Sequence, residues 1–463
     1  MTKKTLFLIP DGVGIRNYLY SDVLKNLKKE SKVAFWSPLL ENAFTEVKQL
    51  HSIEVEYKKL QLNAESPLTR LYREAGTFGR LIHNAKLTNN QTILTNWNYS
   101  PKTLKLKILN KLSESLGTWA SKKYSRILVL EQKSLLCWKR SIIDEYKEEL
   151  LKLNPSSIFI THQRKPTLTP IIIAAKEIGI PIVTAIYSWD NLPKGRLAVQ
   201  ADQYIVWSDY MKEEVALYYP EINPKNVVVT GSPQFEFYSK VDLIFTREQF
   251  ALKYGLDINK KWICFSGDDK ITSPNDPLYL KDIMKGLSND KKINDIQVIF
   301  RRCPGDFSNR YDTVLKEYDN IVSIDPEWHT TESGWIFFFP KYSDIGLLVN
   351  LAYHCELVIN IGSTMAHDFA ILNKPCLYIN YNQNNSVKWD AEIIYKFQHF
   401  KSMEGFDAVG WLNSSEEIST KILDALSKPN TVGKDRTKWL EKIIQHPLNE
   451  SSKKIADALL KFN

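Results

Sequence analysis

The chain has 463 residues, more than one ordinary core accommodates, so two domains are expected. At 43% hydrophobic and 25% charged it is globular, which excludes a disordered chain. Its net charge of +8, from 61 basic and 53 acidic residues, is mild for this length. It fits an anionic small ligand or an anionic membrane surface, and it excludes the dense basic patch of a nucleic-acid binder.

The opening "MTKKTLFLIPDG" gives one core strand, Thr5 to Ile9, too short for a signal-peptide core. The turn Asp11-Gly12-Val13-Gly14 and a helix from about Ile15 to Glu30 follow. "KVAFWS" reads as a second strand and "HSIEVEY" as a third. From Pro67 to Leu153 the spacing is helical, including the run that starts at Pro101. Within it, "RILVLEQ" is an apolar, strand-like run ending at Glu131. Alternation then resumes with "SSIFITH" as strand, "TPIIIAAKEIGI" as helix, and "PIVTAIYS", "ADQYIVW" and "NVVVTGSP" as strands.

The second half repeats this order. "KWICFSGDD", "IQVIFRR", "NIVSID" and "ELVINIG" read as strands between helices, and Lys434 to Phe462 reads as one basic amphipathic helix. Short, nearly continuous apolar strands between amphipathic helices indicate parallel sheets covered on both faces. Two such runs predict an α/β protein of two Rossmann-like domains. The expected division is residues 1–240, with a helical insertion at about 67–153, then 241–433, then a terminal helix over 434–463. The five cysteines show no CxxC spacing, and three of them sit in or beside expected strands or helices as buried thiols, which points to a reducing compartment. No run of about 18 apolar residues suggests a membrane span. A cytoplasmic protein is expected, in contact with the inner face of the membrane.

In open parallel sheets, ligands bind beyond the carboxyl ends of the strands. Four polar turns lie there in the second half. Gly362-Ser363-Thr364 follows "LVINI" and opens a helix carrying His367 and Asp368. Such a turn is either a plain helix cap or a phosphate seat, since a helix N-terminus offers free N–H groups and partial positive charge. Arg301 and Arg302 end a strand, where guanidinium groups grip phosphate or else pair with Asp306. Successive residues on a strand face opposite ways, so one of the two arginines is expected inside the site. Gly267 and Asp268 form a third turn, Phe339 and Pro340 begin a fourth. Together they suggest a nucleotide site.

In the first half, Gly12, Gly14, Arg16 and Asn17 follow the first strand. Their spacing is not GxGxxG, so a bound dinucleotide is not expected. Asp11 is either a general base or the cap of the next helix. Glu131, His162, Trp189 and Asp190 each read as lying where a strand meets a loop, facing the cleft. The 12 Trp and 22 Tyr serve packing, or stacking on sugar rings and bases.

On these features the chain resembles the GT-B glycosyltransferases, nearest to bacterial enzymes that build cell-surface polysaccharide. The resemblance spans nearly the whole chain. It is most specific in the segment from Gly179 to Tyr238, with "SWDN", a strand ending in "WS", and "VTGSPQF", and in the turn Gly362 to Thr364. Many relatives carry Arg-x-His-Pro; here the stretch is Arg301-Arg302-Cys303-Pro304, which shifts weight from the histidine to the arginines. The resemblance implies a hexosyltransferase-type enzyme with a nucleotide-sugar donor in the second domain and a glycan or lipid-linked acceptor in the first. It implies inversion and no cofactor or metal. The donor set would be Gly267, Asp268, Arg301, Arg302, Phe339, Pro340, Gly362, Ser363, Thr364, His367 and Asp368. Gly12, Gly14, Arg16, Asn17 and Trp189 would hold the acceptor. Asp11 is the first choice of base, ahead of His162, Glu131 and Asp190. A nucleotide-sugar epimerase, a polyol-phosphate transferase and a non-enzymatic protein on the same frame remain as alternatives.

Overall fold

The computed structural model describes residues 3–97, 103–197, 200–288, 295–329, 338–383 and 389–462; Pro101, read as the start of a helical run, lies outside them. Seven strands form the first sheet: β1 Lys4–Leu8, β2 Lys32–Ser37, β3 Glu56–Lys59, β4 Ser157–Ile160, β5 Ile182–Ala185, β6 Gln203–Val206 and β7 Val227–Val229. They run in the order β3-β2-β1-β4-β5-β6-β7, and every pairing is parallel. The second half supplies β8 Lys261–Ser266, β9 Ile296–Arg301, β10 Ile321–Ile324, β11 Trp328–His329, β12 Phe339–Pro340, β13 Val358–Asn360, β14 Cys376–Ile379 and β15 Gly410–Leu412. Its parallel sheet runs β10-β9-β8-β13-β14-β15, while β11 and β12 form a small antiparallel pair. Burial follows composition: β4, β5, β6 and β14 are buried at every position because helices cover both faces.

In both sheets the order reverses beside the first strand, at β1/β4 and β8/β13. That opens the crevice where turns collect. The end of the chain returns to the first domain. The Glu236 carboxylate accepts from the Ser452 N–H at 2.6 Å and from its hydroxyl, and the Gln445 N–H donates to the Trp207 carbonyl at 2.9 Å.

Three local readings are corrected. The helix expected from Ile15 to Glu30 is broken into Gly12–Gly14, a wider-turn segment Ile15–Leu19, and Val23–Leu27. "RILVLEQ" lies inside the helix Tyr124–Leu136, because a short apolar run fits a buried helix face as well as a strand. The single terminal helix is two, Arg436–Ile443 and Ser451–Leu460; Pro447 between them has no N–H to continue the first.

Candidate functional site

Asp11 stands three residues after β1, and His162 two residues after the neighbouring β4. The strand register brings them together. His162 Nδ1 lies 2.6 Å from Asp11 Oδ2, and Lys165 Nζ lies 3.2 Å from the same oxygen. Both residues are buried. Burial pushes the imidazole below its ordinary value, with Lys165 and Arg164 adding to that and Asp11 opposing it. Burial also resists the Asp11 charge, yet His162 and Lys165 hold the carboxyl down at about 2. At neutral pH the pair is therefore a carboxylate and a neutral imidazole. The carboxylate fixes the proton on Nδ1 and leaves the Nε2 lone pair outward. Asp11 has the backbone of a helix cap but makes no capping hydrogen bond with its side chain. The Tyr187 ring packs 4.1 Å from the imidazole. The pair opens on a cavity of about 380 Å³ with Arg164, Lys165, Arg196, Trp328 and Phe338 in its walls.

A second cavity of about 270 Å³ shares Val13 and Tyr187 with the first. Arg301, Arg302, Ser363, Thr364 and Asp368 line it from the second domain, and Arg16 and Asn17 from the first. Arg301 ends β9 and is buried. Its Nη2 donates to Asp344 Oδ1 at 2.6 Å, while its Nη1 is buried with no partner among the described residues. Asp344 is further held by the Glu327 N–H at 2.9 Å and Trp328 Nε1 at 2.8 Å. An ion pair with one donor left over suits an anion entering from the cavity. Arg302 lies over the Tyr311 ring, donates to the Ser308 carbonyl at 2.6 Å and pairs with Asp325 at 3.1 Å. The alternative pairing of these arginines with Asp306 is not formed; Asp306 accepts from Arg310 at 2.6 Å.

The turn after β13 needs its glycine. Gly362 has φ +63°, and a Cβ there would stand 2.8 Å from Ile394 Cγ2 and 2.9 Å from Phe400 Cζ. Gly362→Ala is expected to destabilise the protein by about 1–3 kcal/mol, read as a lower denaturant midpoint. An unchanged midpoint contradicts this account of the turn. Ser363 Oγ accepts weakly from the Met365 N–H at 3.4 Å, and the Thr364 side chain makes no capping bond. Both residues also line a third cavity of about 330 Å³, with Asp190, Lys194, Asp268 and His399. Asp268 thus borders two cavities, and Gly267 sits close under Tyr311. Burial, with Asp276 and Asp269 nearby, lifts Asp268 to about 7. Burial lifts Asp368 to about 6, against the pull of Arg16 and a Tyr238 hydroxyl.

Several expected roles are not matched by position. Glu131 is mid-helix, and both its oxygens are taken by Arg80 at 2.9 and 2.7 Å. Trp189 is buried against His367, His399, Phe400 and Trp439, so its rings pack the two domains together and offer no sugar platform. His367 is fully buried, with the Trp189 and Trp439 rings at 5.1 and 4.2 Å, and lines none of these cavities; burial and nearby His399 push it down to about 3. Phe339 and Pro340 belong to β12, and Gly12 passes so close that a Cβ would meet the Phe338 carbonyl at 2.2 Å. That contact joins the domains. Gly14 allows the helix to pack on Thr161, 2.4 Å from where a Cβ would be. Arg16 and Asn17 face the arginine-lined cavity rather than a separate acceptor groove. Asp190 is held by Ser188 at 2.6 Å, Asn191 at 2.8 Å and Lys194; burial opposes its charge, but Lys194 and His399 keep it well below the usual range. Arg164, Lys165 and Tyr187 stand outside the residues expected from sequence, and Asp344 is expected only as a member of the polar turn that begins at Phe339. "HQRKP" directly after β4 was a signal for the first two.

No family model and no curated protein sequence matches the chain. Solved structures do. The UDP-GlcNAc 2-epimerase of Methanocaldococcus jannaschii superposes with a TM-score of 0.53 at 12% identity, covering 99% of each chain. The UDP-GlcNAc 2-epimerase of Neisseria meningitidis, bound to UDP-GlcNAc, gives 0.51 at 16%, covering 100% of both. A glycosyltransferase from Rickettsia africae gives 0.52 at 12%, covering 100% of this chain and 98% of that one. With two parallel sheets, a crevice between them and a terminal segment that crosses back, this chain has the GT-B fold.

Proposed function

We propose that the protein is a glycosyltransferase that moves a sugar from a nucleotide-activated donor to a hydroxyl of a cell-surface glycan or lipid-linked acceptor. One observation carries this reading: the buried Asp11–His162 pair opens on a cavity that adjoins the arginine-lined one through Val13 and Tyr187. The donor diphosphate would lie against Arg301, Ser363, Thr364 and Arg16, while Arg302 stays engaged with Tyr311 and Asp325. His162 Nε2 takes the proton of the acceptor hydroxyl. That oxygen attacks the anomeric carbon, the bond from that carbon to the phosphate oxygen breaks, and the diphosphate leaves with the electron pair. Attack from the face opposite the leaving group inverts the centre. Asp11 stabilises the imidazolium as it forms. In this reading a chelator leaves turnover unchanged. The test is release of nucleoside diphosphate from a panel of nucleotide sugars, with and without acceptor.

A second reading, nucleotide-sugar epimerisation, is favoured by the likeness to the two epimerase structures and by two carboxyls in the donor cavity, Asp268 and Asp368, poised near neutrality. It requires an isomerised nucleotide sugar without any acceptor.

Asp268 makes nucleotide binding pH-dependent in either case. Below about 7 its carboxyl is neutral; above, it is an anion facing a diphosphate. Affinity for a nucleoside diphosphate is expected to fall as pH rises through that value, and Asp268→Asn to flatten the profile. Titration calorimetry across the range checks this; a profile identical in both proteins contradicts it.

Membrane contact at the inner face belongs to the same proposal. Among the described residues no helix is long and apolar enough to cross a membrane. The helix Leu104–Ala120, however, exposes Leu104, Ile108, Leu112 and Trp119 on one stripe, with Lys105, Lys107 and Lys111 exposed beside it. An apolar stripe edged by lysines suits an anionic bilayer surface. The protein is expected to sediment with vesicles containing phosphatidylglycerol and not with pure phosphatidylcholine. Changing Leu104, Ile108 and Leu112 together to Ser should abolish this; unaltered sedimentation rejects the surface.

A further inference from the structure

Beyond the Asp11–His162 cavity lies a larger one of about 520 Å³. The helices Pro67–Leu87 and Tyr124–Leu136 and the segments after β4 and β5 enclose it, with Arg73, Thr77, Glu131, Gln132, Arg164 and Arg196 among its walls. Arg164 and Arg196 line both cavities and so form the neck between them. Four cationic side chains, Arg73, Arg164, Lys165 and Arg196, and two carboxylates, Asp11 and Glu131, face this joint space.

The carboxylates are already engaged. Glu131 is held by Arg80, and Asp11 by His162 and Lys165. Arg73 is satisfied as well, by both oxygens of Glu65 at 2.6 and 2.7 Å and by Glu74 at 2.9 Å. The two arginines of the neck are not. Arg196 reaches Glu74 only at 3.4 Å, on a carboxylate that Arg73 already uses. Among the described residues Arg164 Nε is buried without a partner. Burial draws Arg196 below its ordinary value despite Glu74, and the guanidinium groups of Arg73 and Arg164 act in the same direction. Unpaired donors on partly desolvated cations are unfavourable until an oxyanion meets them. A planar guanidinium meets phosphate or carboxylate with two parallel bonds. The donor diphosphate has its own arginine, Arg301, in the other cavity.

We infer that the acceptor carries an anionic group, phosphate or carboxylate, and that Arg164 and Arg196 seat it at the neck beyond the Asp11–His162 pair. The inference rests on the transferase reading, since an epimerase has no second substrate to place there. The anion would anchor the acceptor while its hydroxyl reaches His162.

The test uses the full chain saturated with whichever of UDP, GDP, CDP or dTDP it binds. Glucose 1-phosphate, glucuronic acid and glucose are then titrated calorimetrically. One of the two anionic sugars is expected to bind at least about tenfold tighter than glucose, which also identifies the anion. Arg164→Ala and Arg196→Ala should each weaken it by about tenfold, and Arg164→Lys by less. Nucleotide affinity reports that each variant is folded. Equal binding of all three sugars, or anionic-sugar affinity indifferent to both arginines, overturns the site while the transferase reading stands. Failure to bind any of the nucleotides overturns that reading and the site with it.

Discussion

His162→Ala is expected to lower turnover by about 10²–10⁴-fold while leaving the stabilisation by nucleotide intact. The imidazole is the only group in the Asp11 cavity with a neutral nitrogen directed by a carboxylate, among the described residues. Asp11→Asn should come close to the same loss. An amide accepts a hydrogen bond from Nδ1 but brings no charge to offset the imidazolium, and its NH₂ favours the wrong tautomer. Replacement of a mere helix cap would predict the opposite, because Asn caps as well as Asp. The pH profile gives an independent check. Neutral His162 is the working form, and burial holds its pKa below the ordinary 6.5. Turnover should therefore be flat at neutral pH and decline only below 6.5, as the imidazole gains a proton. An acid limb centred above that value contradicts the assignment.

The two adjacent arginines should separate. Arg301→Ala is expected to abolish most nucleotide-induced thermal stabilisation and to lower turnover by about 10²–10³-fold. It should also reduce stability by about 3–5 kcal/mol, since Asp344 loses its buried counter-charge. Comparing melting temperatures with and without nucleotide within each variant keeps the two effects apart. Arg302→Ala removes a side chain that rests on Tyr311 and pairs with the largely exposed Asp325. Its nucleotide shift should be nearly normal. Equal, mild effects from both changes would place Arg301 outside the binding site.

The fold was legible because both sheets are parallel and buried, which writes itself as short apolar strands between amphipathic helices. The crevice turns were legible for the same reason: Gly267 and Gly362 follow such strands and Arg301 ends one. What escaped depends on contacts distant in sequence. Nothing near Arg301 announces Asp344, 43 residues on. Trp189 is expected to hold the acceptor, because the rings that bury it come from residues distant in sequence, 367, 399, 400 and 439. Gly12 lines the Asp11 cavity, but nothing near it in sequence announces that the Phe338 backbone of the other domain packs against it. In the sequence Asp11 and His162 read as competing candidates for the base. Only the β1–β4 register shows them as one unit.

Product analysis on a panel of nucleotide sugars, with and without a lipid-linked acceptor, tests the central claim most directly. Transfer predicts nucleoside diphosphate released in proportion to glycosylated acceptor, with the donor unchanged when acceptor is left out, and His162→Ala inactive. Conversion of the donor to an isomeric nucleotide sugar in the absence of acceptor would contradict it.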